Sequence, residues 1–257
     1  MLTAEQKSEL HQIVTESLNE AERVWKNVGV LFEKSGAWFA ADSVKSLTTQ
    51  IPGYETIIDR KPEVDDFICI VVDMRDSTDH LMQAISKKIT SVSQLQRIFY
   101  ETSALLPAIA KVIGYYDGKV TEYLGDGVLG MFLASGGEDD RSEAVRQASR
   151  AARGCLECAR CIVNPALEER YGLPPLSIGI GLAFSRAIIM GMGLPGYRLP
   201  KVFGECVFYA TKLSKLVDKI AVDKNMNNIW PQSNGGKLTF QKKAFHGWDG
   251  YVMSGSD

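Results

Sequence analysis

Phe67 to Val72 reads Phe-Ile-Cys-Ile-Val-Val, an unbroken apolar run rich in β-branched residues. A run this short and this apolar offers water no polar face, so it predicts a central strand buried on both sides. Whatever else the chain builds must cover that strand. The run ends at Asp73, and the chain then turns through Met74-Arg75-Asp76-Ser77-Thr78 toward a helical pattern that begins near Asp79. A carboxylate where a buried strand exits, followed by small polar residues opening a helix, makes a site for a metal-bound polyphosphate. The carboxylate holds the cation, and the N–H groups of the helix start receive the phosphate oxygens. The same residues also fit a plainer arrangement, with Asp76 or Ser77 capping the helix and Asp73 in a turn.

A second stretch bears on that choice. In Gly118 to Phe132, two β-like runs flank Gly125-Asp126-Gly127, a turn suited to a hairpin. An Asp at a hairpin tip is most often only a turn former. The neighbouring glycines, however, let a backbone or a ligand come close. If this hairpin lies beside the first strand, Asp73 and Asp126 share two cations, the arrangement needed to activate an attacking oxygen and steady a leaving pyrophosphate.

The 257 residues allow one large domain with an extension or two small domains, and 45% hydrophobic with 23% charged residues matches an ordinary globular chain. A net charge of -2 argues against a general nucleic-acid binder. No apolar run approaches the roughly 20 residues of a membrane-spanning helix, and the first residues lack a signal peptide's charged start and apolar core. These features predict a cytoplasmic protein with no membrane or nucleic-acid partner. The five cysteines do not form a secreted disulfide framework. Cys155, Cys158 and Cys161 invite an iron–sulfur reading, but they sit in a helical pattern from Ser142 to Val163, which cannot easily wrap three thiolates around one cluster. They read as small, partly buried helix residues.

In chain order, residues 1–64 form an N-terminal helical arm. Thr3 and Gln6 supply an N-cap pattern, Leu10, Ile13, Val14, Leu18, Ala21 and Val24-Trp25 repeat at helical spacing, and a second helical piece covers Val30 to Phe39. After the first strand come a short helix from Thr78 to Ile89 and a longer one from Ser93 to Tyr116, with a kink or break expected at Pro107. The hairpin and the cysteine-bearing helix follow, then a strand from Leu176 to Phe184, another over Arg186 to Met190, and a flexible loop from Gly191 to Pro200. A helix from Gly204 to Lys219 and strand-like pieces near Ile229 and Lys237 to Phe245 complete the chain. Strand, helices, hairpin, helix, strand is the βαββαβ order of a ferredoxin-like α+β fold.

Four segments in order resemble the class III nucleotidyl cyclases: Val71 to Thr78, Tyr123 to Phe132, the Gly-rich strand from Ile178 to Gly193, and Val202 to Leu213, which is similar to the family's dimer-interface helix. The resemblance spans roughly residues 65 to 215 and implies a catalytic domain over 65–257. It implies cyclisation of a nucleoside triphosphate, the ribose 3′-hydroxyl attacking the α-phosphate as pyrophosphate leaves. Asp73, Met74 and Asp126 would hold two Mg²⁺ or Mn²⁺ ions, with Arg75, Asp76, Ser77 and Thr78 at the phosphates. Where adenylate cyclases carry Asn and Arg on the interface helix, Phe208 and Lys212 stand here. Lys212 keeps the positive charge without the guanidinium fork, and Arg198 is a second candidate for the phosphates. The resemblance also implies a head-to-tail homodimer with composite sites.

The base-reading positions of the family fall on Glu122 and Lys201. An acceptor beside a donor suits uracil or guanine and fits adenine poorly; Phe203 and Phe208 narrow the same wall and favour the smaller ring. Taken with the early arm and the Met-Arg-Asp-Ser-Thr turn, the chain is similar to the pyrimidine cyclases of bacterial anti-phage (Pycsar) systems. That resemblance implies UTP, then CTP, as substrate and a separate effector that responds to the cyclic nucleotide. An ordinary guanylate or adenylate cyclase, a silent nucleotide-binding dimerisation module, and a ferredoxin-like interaction module are the competing readings.

Overall fold

The computed structural model describes residues 2–28, 46–58, 62–76, 93–194, 197–231, 237–245 and 247–255. The elements are α1 (Ala4–Val28), β1 (Ser46–Ile51), β2 (Tyr54–Ile58), β3 (Glu63–Met74), α2 (Gln94–Gly114), β4 (Lys119–Tyr123), β5 (Gly127–Leu133) and α3 (Glu138–Cys158). A π-helical turn (Ala159–Val163) then leads to α4 (Asn164–Tyr171), β6 (Ile178–Leu194), β7 (Tyr197–Gly204), α5 (Glu205–Leu213), β8 (Ile220–Asp223), α6 (Lys224–Asn228), β9 (Thr239–Phe245) and β10 (Trp248–Ser254). No helix among the described residues is long and apolar enough to cross a membrane.

The main sheet runs β4-β5-β3-β6-β8-β10-β9, with β7 pairing the far half of β6. Within it β3, β4, β5 and β6, joined by α2 and α3, are the antiparallel βαββαβ unit expected from the sequence. The mixed α+β fold is that unit extended by further strands. β3 is the buried centre: it pairs β5 from Phe67 to Asp73 and β6 along its whole length. Its alternation sorts the core into two layers. Ile68, Ile70, Val72 and Met74 join the cluster beneath α1, α2 and α3. Phe67, Cys69 and Val71 face the opposite layer with Ile51, Ile57, Val202, Cys206 and Ala210, under the β1–β2 hairpin, β7 and α5. Each large side chain so buried contributes roughly 1.5–3 kcal/mol.

The helix starts follow the sequence signals. Thr3 Oγ1 accepts from Gln6 N–H at 3.1 Å, and Gln6 Oε1 accepts from Thr3 N–H at 2.9 Å. Ser93 and Gln96 repeat that reciprocal cap on α2. The Leu10, Val14 and Leu18 stripe of α1 is fully buried in the main core.

Several expectations need correction. Of the kink or break expected at Pro107, the break does not occur, since α2 is one helix through it: proline forfeits one bond to the Ser103 carbonyl, while Ala104, Leu105, Ala108 and Ile109 stay buried around it. The segment before β3 is not wholly helical, since Pro52-Gly53 is the turn of the β1–β2 hairpin. The strands read over Leu176–Phe184 and Arg186–Met190 are one strand, β6. Ser185-Arg186, where the two readings meet, lies opposite Asp66-Phe67, with Arg186 Nε 3.5 Å from Asp66 Oδ1. The supposed loop from Gly191 to Pro200 is largely hairpin, Pro200 sitting opposite Gly191 in the outer strand β7, where proline costs no central ladder bond. α5 ends at Leu213 rather than Lys219, and Ile229 caps α6 instead of lying in a strand. The helical patterns over Val30–Phe39 and Thr78–Ile89 lie outside the described residues.

Candidate active site

Asp73 is the last outward residue of the Phe67-Cys69-Val71 face of β3, paired with Gly127 of β5 on one side and Gly179 of β6 on the other. Both neighbours are glycine for a steric reason. A Cβ on Gly127 would lie 2.5 Å from the Val72 carbonyl oxygen and 3.3 Å from Asp73 Oδ1. A Cβ on Gly179 would lie 1.9 Å from the Ser214 oxygen, because the end of α5 rests directly on the strand. The β4–β5 hairpin tip is tied to the exit of β3 by Met74 N–H donating to the Asp126 carbonyl at 3.1 Å, and Arg75 N–H is tied to the Ser177 carbonyl at 2.8 Å. The chain then turns at Asp76, which takes a left-handed φ of 59°.

Asp73 therefore lies at the rim of the sheet, half-buried, with Arg75 Nη1 donating to its Oδ2 at 2.6 Å. The same Nη1 donates to the Ser214 carbonyl at 3.3 Å. Burial pushes the Asp73 carboxyl above its ordinary range, and the nearby Asp126 charge adds to this; Arg75 and Lys215 pull the other way without cancelling it. Burial thus disfavours the charged form of Asp73, a cost that a bound cation would offset. The donors suit a hard divalent cation: two carboxylates and the Met74 backbone carbonyl, since the Met74 side chain is buried in the core. Among the described residues no group of three or more His, Cys, Asp or Glu converges. An ion here would need backbone, water or phosphate oxygens to complete its ligands, as is common for Mg²⁺.

A second group forms on the same layer. Glu122 of β4 lies opposite Leu129 of β5 and so shares its face. Lys201 of β7 brings Nζ within 2.5 Å of Glu122 Oε2. Two residues 79 positions apart, on strands that do not pair, are thus in direct contact. Phe203 lies two residues along β7 from Lys201 and is partly exposed. On α5, Lys212 Nζ lies 5.6 Å from the centre of the Phe208 ring, a cation–π contact, and Phe208 is largely exposed. Arg198, expected in a loop, is a β7 strand residue opposite Gly193.

The structure thus unites Asp73, Arg75 and Asp126 in one group and Glu122 with Lys201 in another. Asp76 lies in the turn, and Ser77 and Thr78 fall outside the described residues. Sequence reasoning missed Lys215, an exposed residue one position past the α5 cap whose charge acts on Asp73. Its signal, a lysine three after Lys212, is no different from an ordinary surface charge. Cys155 and Cys158 are buried and Cys161 exposed; burial pushes the Cys155 thiol up and the Cys158 thiol to about 12, so both are neutral thiols.

No protein-family model and no curated relative matches the sequence. Solved structures do match. The guanylyl cyclase Cya2 is 19% identical over 74% of this chain and 91% of its own, with a TM-score of 0.55. The adenylyl cyclase CyaB from P. aeruginosa is 13% identical over 77% of this chain and 96% of its own, at 0.58. The catalytic core of a rhodopsin-guanylyl cyclase with converted specificity, solved with ATPalphaS, is 12% identical over 77% of this chain and all of its own, at 0.57. The chain has the fold of class III adenylyl and guanylyl cyclase domains.

Proposed function

We propose that this chain is a class III nucleotidyl cyclase that converts a nucleoside triphosphate, UTP first and CTP next, to the 3′,5′-cyclic nucleotide and pyrophosphate. The observation that carries the reading is the docking of the Asp126 hairpin tip onto the exit of β3 beside Asp73, on the fold of cyclase domains. Two Mg²⁺ or Mn²⁺ ions, when bound, supply Lewis-acid activation of the ribose hydroxyl and charge neutralisation at the triphosphate. Asp73, Asp126 and the Met74 carbonyl would hold them. Arg75 exchanges its pairing with Asp73 for phosphate oxygens, remaining anchored to the Ser214 carbonyl, and the turn from Asp76 to Thr78 offers further donors.

Lys212 meets the negative charge that develops at the α-phosphate, with Arg198 as a second cation. In this chain Lys212 is engaged with Phe208, and the proposal places it against the metal site of a partner in a head-to-tail homodimer. The apolar residues left exposed around α5 and β7, Phe208, Phe203, Leu199, Met192 and Ile188, form the kind of patch that such an interface would cover.

Glu122 and Lys201 read the base. In the free protein they satisfy each other. Uracil replaces that pairing by offering N3–H to Glu122 and a carbonyl oxygen to Lys201. Adenine would set an acceptor against the carboxylate and an amino group against the ammonium, costing roughly 1–3 kcal/mol per unmet group. Guanine shows the same edge as uracil, so a guanylate cyclase is the second reading; Phe203 narrows the wall and favours the pyrimidine. The product would act as a second messenger for a separate effector in anti-phage defence, in the cytoplasm. The test is Mn²⁺-dependent pyrophosphate release from UTP by the wild-type chain, reduced at least 100-fold, about 2.7 kcal/mol, in Asp73→Asn and Asp126→Asn variants that stay folded. Near wild-type release by either variant overturns the metal assignment. No release by the wild type with any triphosphate favours a silent binding module.

A further inference from the structure

On the far side of the sheet from the Asp73 carboxylate, a cavity of 530 Å³ opens between α3, the π-helical turn and the residues leading into β6. That volume is in the range of small-molecule sites. Arg153 and Arg160, two turns apart along the helix, line it with Leu156 between them, together with Leu176, Ser177 and Asp218. The wall's two carboxylates are held by donors of the chain itself. Glu157 accepts from Lys7 Nζ at 2.7 Å and from Leu2 N–H at 3.0 Å. Asp218 accepts from the Ser177 hydroxyl at 2.9 Å and from Ile178 N–H at 3.2 Å. The cations on the same wall are guanidinium groups, whose planar fork matches the oxygens of a phosphate or carboxylate.

Two backbone irregularities coincide here. The helix changes to π geometry at Ala159–Val163, which places Ala159 and Arg160 on the cavity wall; π turns inside α-helices are frequent at functional sites. Asp218 holds a left-handed φ of 49°, a conformation that non-glycine residues keep only where the surroundings enforce it. Ser177 connects this wall to the candidate active site. Its hydroxyl binds Asp218, and its carbonyl accepts the Arg75 N–H at 2.8 Å.

We infer that this cavity is a second ligand site, for a small organic molecule with an oxyanion head and a compact apolar body, and that its occupancy is transmitted through Ser177 to the Asp73–Arg75 turn. The cavity exceeds a bare ion, and Leu156, Pro175 and Leu176 supply apolar wall for the body. The inference needs no cyclase turnover, so it is tested by binding alone. Calorimetric titration of the full chain uses 1-naphthyl phosphate, 1-naphthoate and inorganic phosphate as probes. A saturable one-to-one site for a naphthyl probe, at least tenfold tighter than inorganic phosphate, is expected; the tighter of the two naphthyl probes identifies the head group. Arg160→Gln, at an exposed position, and Arg153→Gln should each weaken it at least tenfold, and Lys212→Ala should leave it unchanged. Absence of saturation by both naphthyl probes, or loss in Lys212→Ala with Arg160→Gln unaffected, overturns the site. Hydrogen exchange tests the transmission: the Arg75 amide should exchange at least threefold more slowly with the probe bound. Ser177→Ala should bind the probe without that slowing, and an unchanged Arg75 amide in the wild type overturns the coupling.

Discussion

Replacing Gly179 by alanine should unseat the end of α5 and disturb the candidate active site together. The added Cβ would stand 1.9 Å from the Ser214 oxygen and 2.3 Å from the Leu216 oxygen. Both are backbone atoms, so no rotamer change relieves the clash. To reach even 3.0 Å, below which real contacts essentially do not occur, the Ser214 carbonyl must retreat by about 1.1 Å. Overpacking of a tight site costs typically 1–3 kcal/mol, and a backbone obstacle puts this case at the upper end, about 3 kcal/mol. For a chain of this size that is a Tm drop of roughly 6–12 °C. The Ser214 carbonyl also accepts from Arg75 Nη1, so its retreat loosens the side chain that pairs with Asp73. The assay is thermal unfolding followed by circular dichroism, with Gly114→Ala as control; a Cβ there meets nothing within 4 Å, and the helix position should be neutral or slightly stabilised. If Gly179→Ala melts within 2 °C of the wild type, the reasoning about this strand is wrong.

Three further outcomes are expected. Because burial and Asp126 raise the Asp73 pKa in the folded state, ionised Asp73 destabilises the metal-free fold above that raised pKa, and the penalty fades as pH falls through it to the ordinary 3.8. Asp73→Asn should therefore melt higher than the wild type at pH 7 without metal, and the gap should close near pH 3.8; a lower melting point at pH 7 contradicts the electrostatic account. Mixing inactive Asp73→Asn with inactive Lys212→Ala should restore activity through heterodimers with one intact site, and no recovery despite demonstrated subunit exchange counts against shared sites. Reversing the base pair with Glu122→Lys and Lys201→Glu should turn preference from UTP toward CTP and ATP by about tenfold or more, the effect of unmet buried polar groups; unchanged selectivity removes the pair from base reading.

The parts of the fold legible in the sequence are those where local pattern and tertiary role agree. Phe67 to Val72 is apolar on both faces because sheet neighbours and two core layers enclose it, and the Gly125-Asp126-Gly127 turn sits between strands that pair as expected. The far end of the sheet was less legible. Leu213 to Lys219 keeps a helical pattern, yet the helix stops because the Ser214 and Leu216 carbonyls rest on Gly179 and the chain reverses at Asp218. β10 was missed because Asp249 and Gly250 interrupt its alternation; Gly250 is small because a Cβ there would come within 2.8 Å of the Leu213 and Phe245 side chains. Within the site, the contact of Glu122 with Lys201 is a tertiary one that spacing cannot show, and the same holds for Arg75 reaching both Asp73 and Ser214.

The most direct test is to incubate the purified chain with equal concentrations of UTP, CTP, GTP and ATP and Mn²⁺, and to identify the products by mass. The account predicts a 3′,5′-cyclic nucleotide with stoichiometric pyrophosphate, cyclic UMP dominating. Cyclic AMP as the main product would overturn the reading of Glu122 and Lys201, and no cyclic nucleotide from any of the four would contradict the cyclase assignment itself.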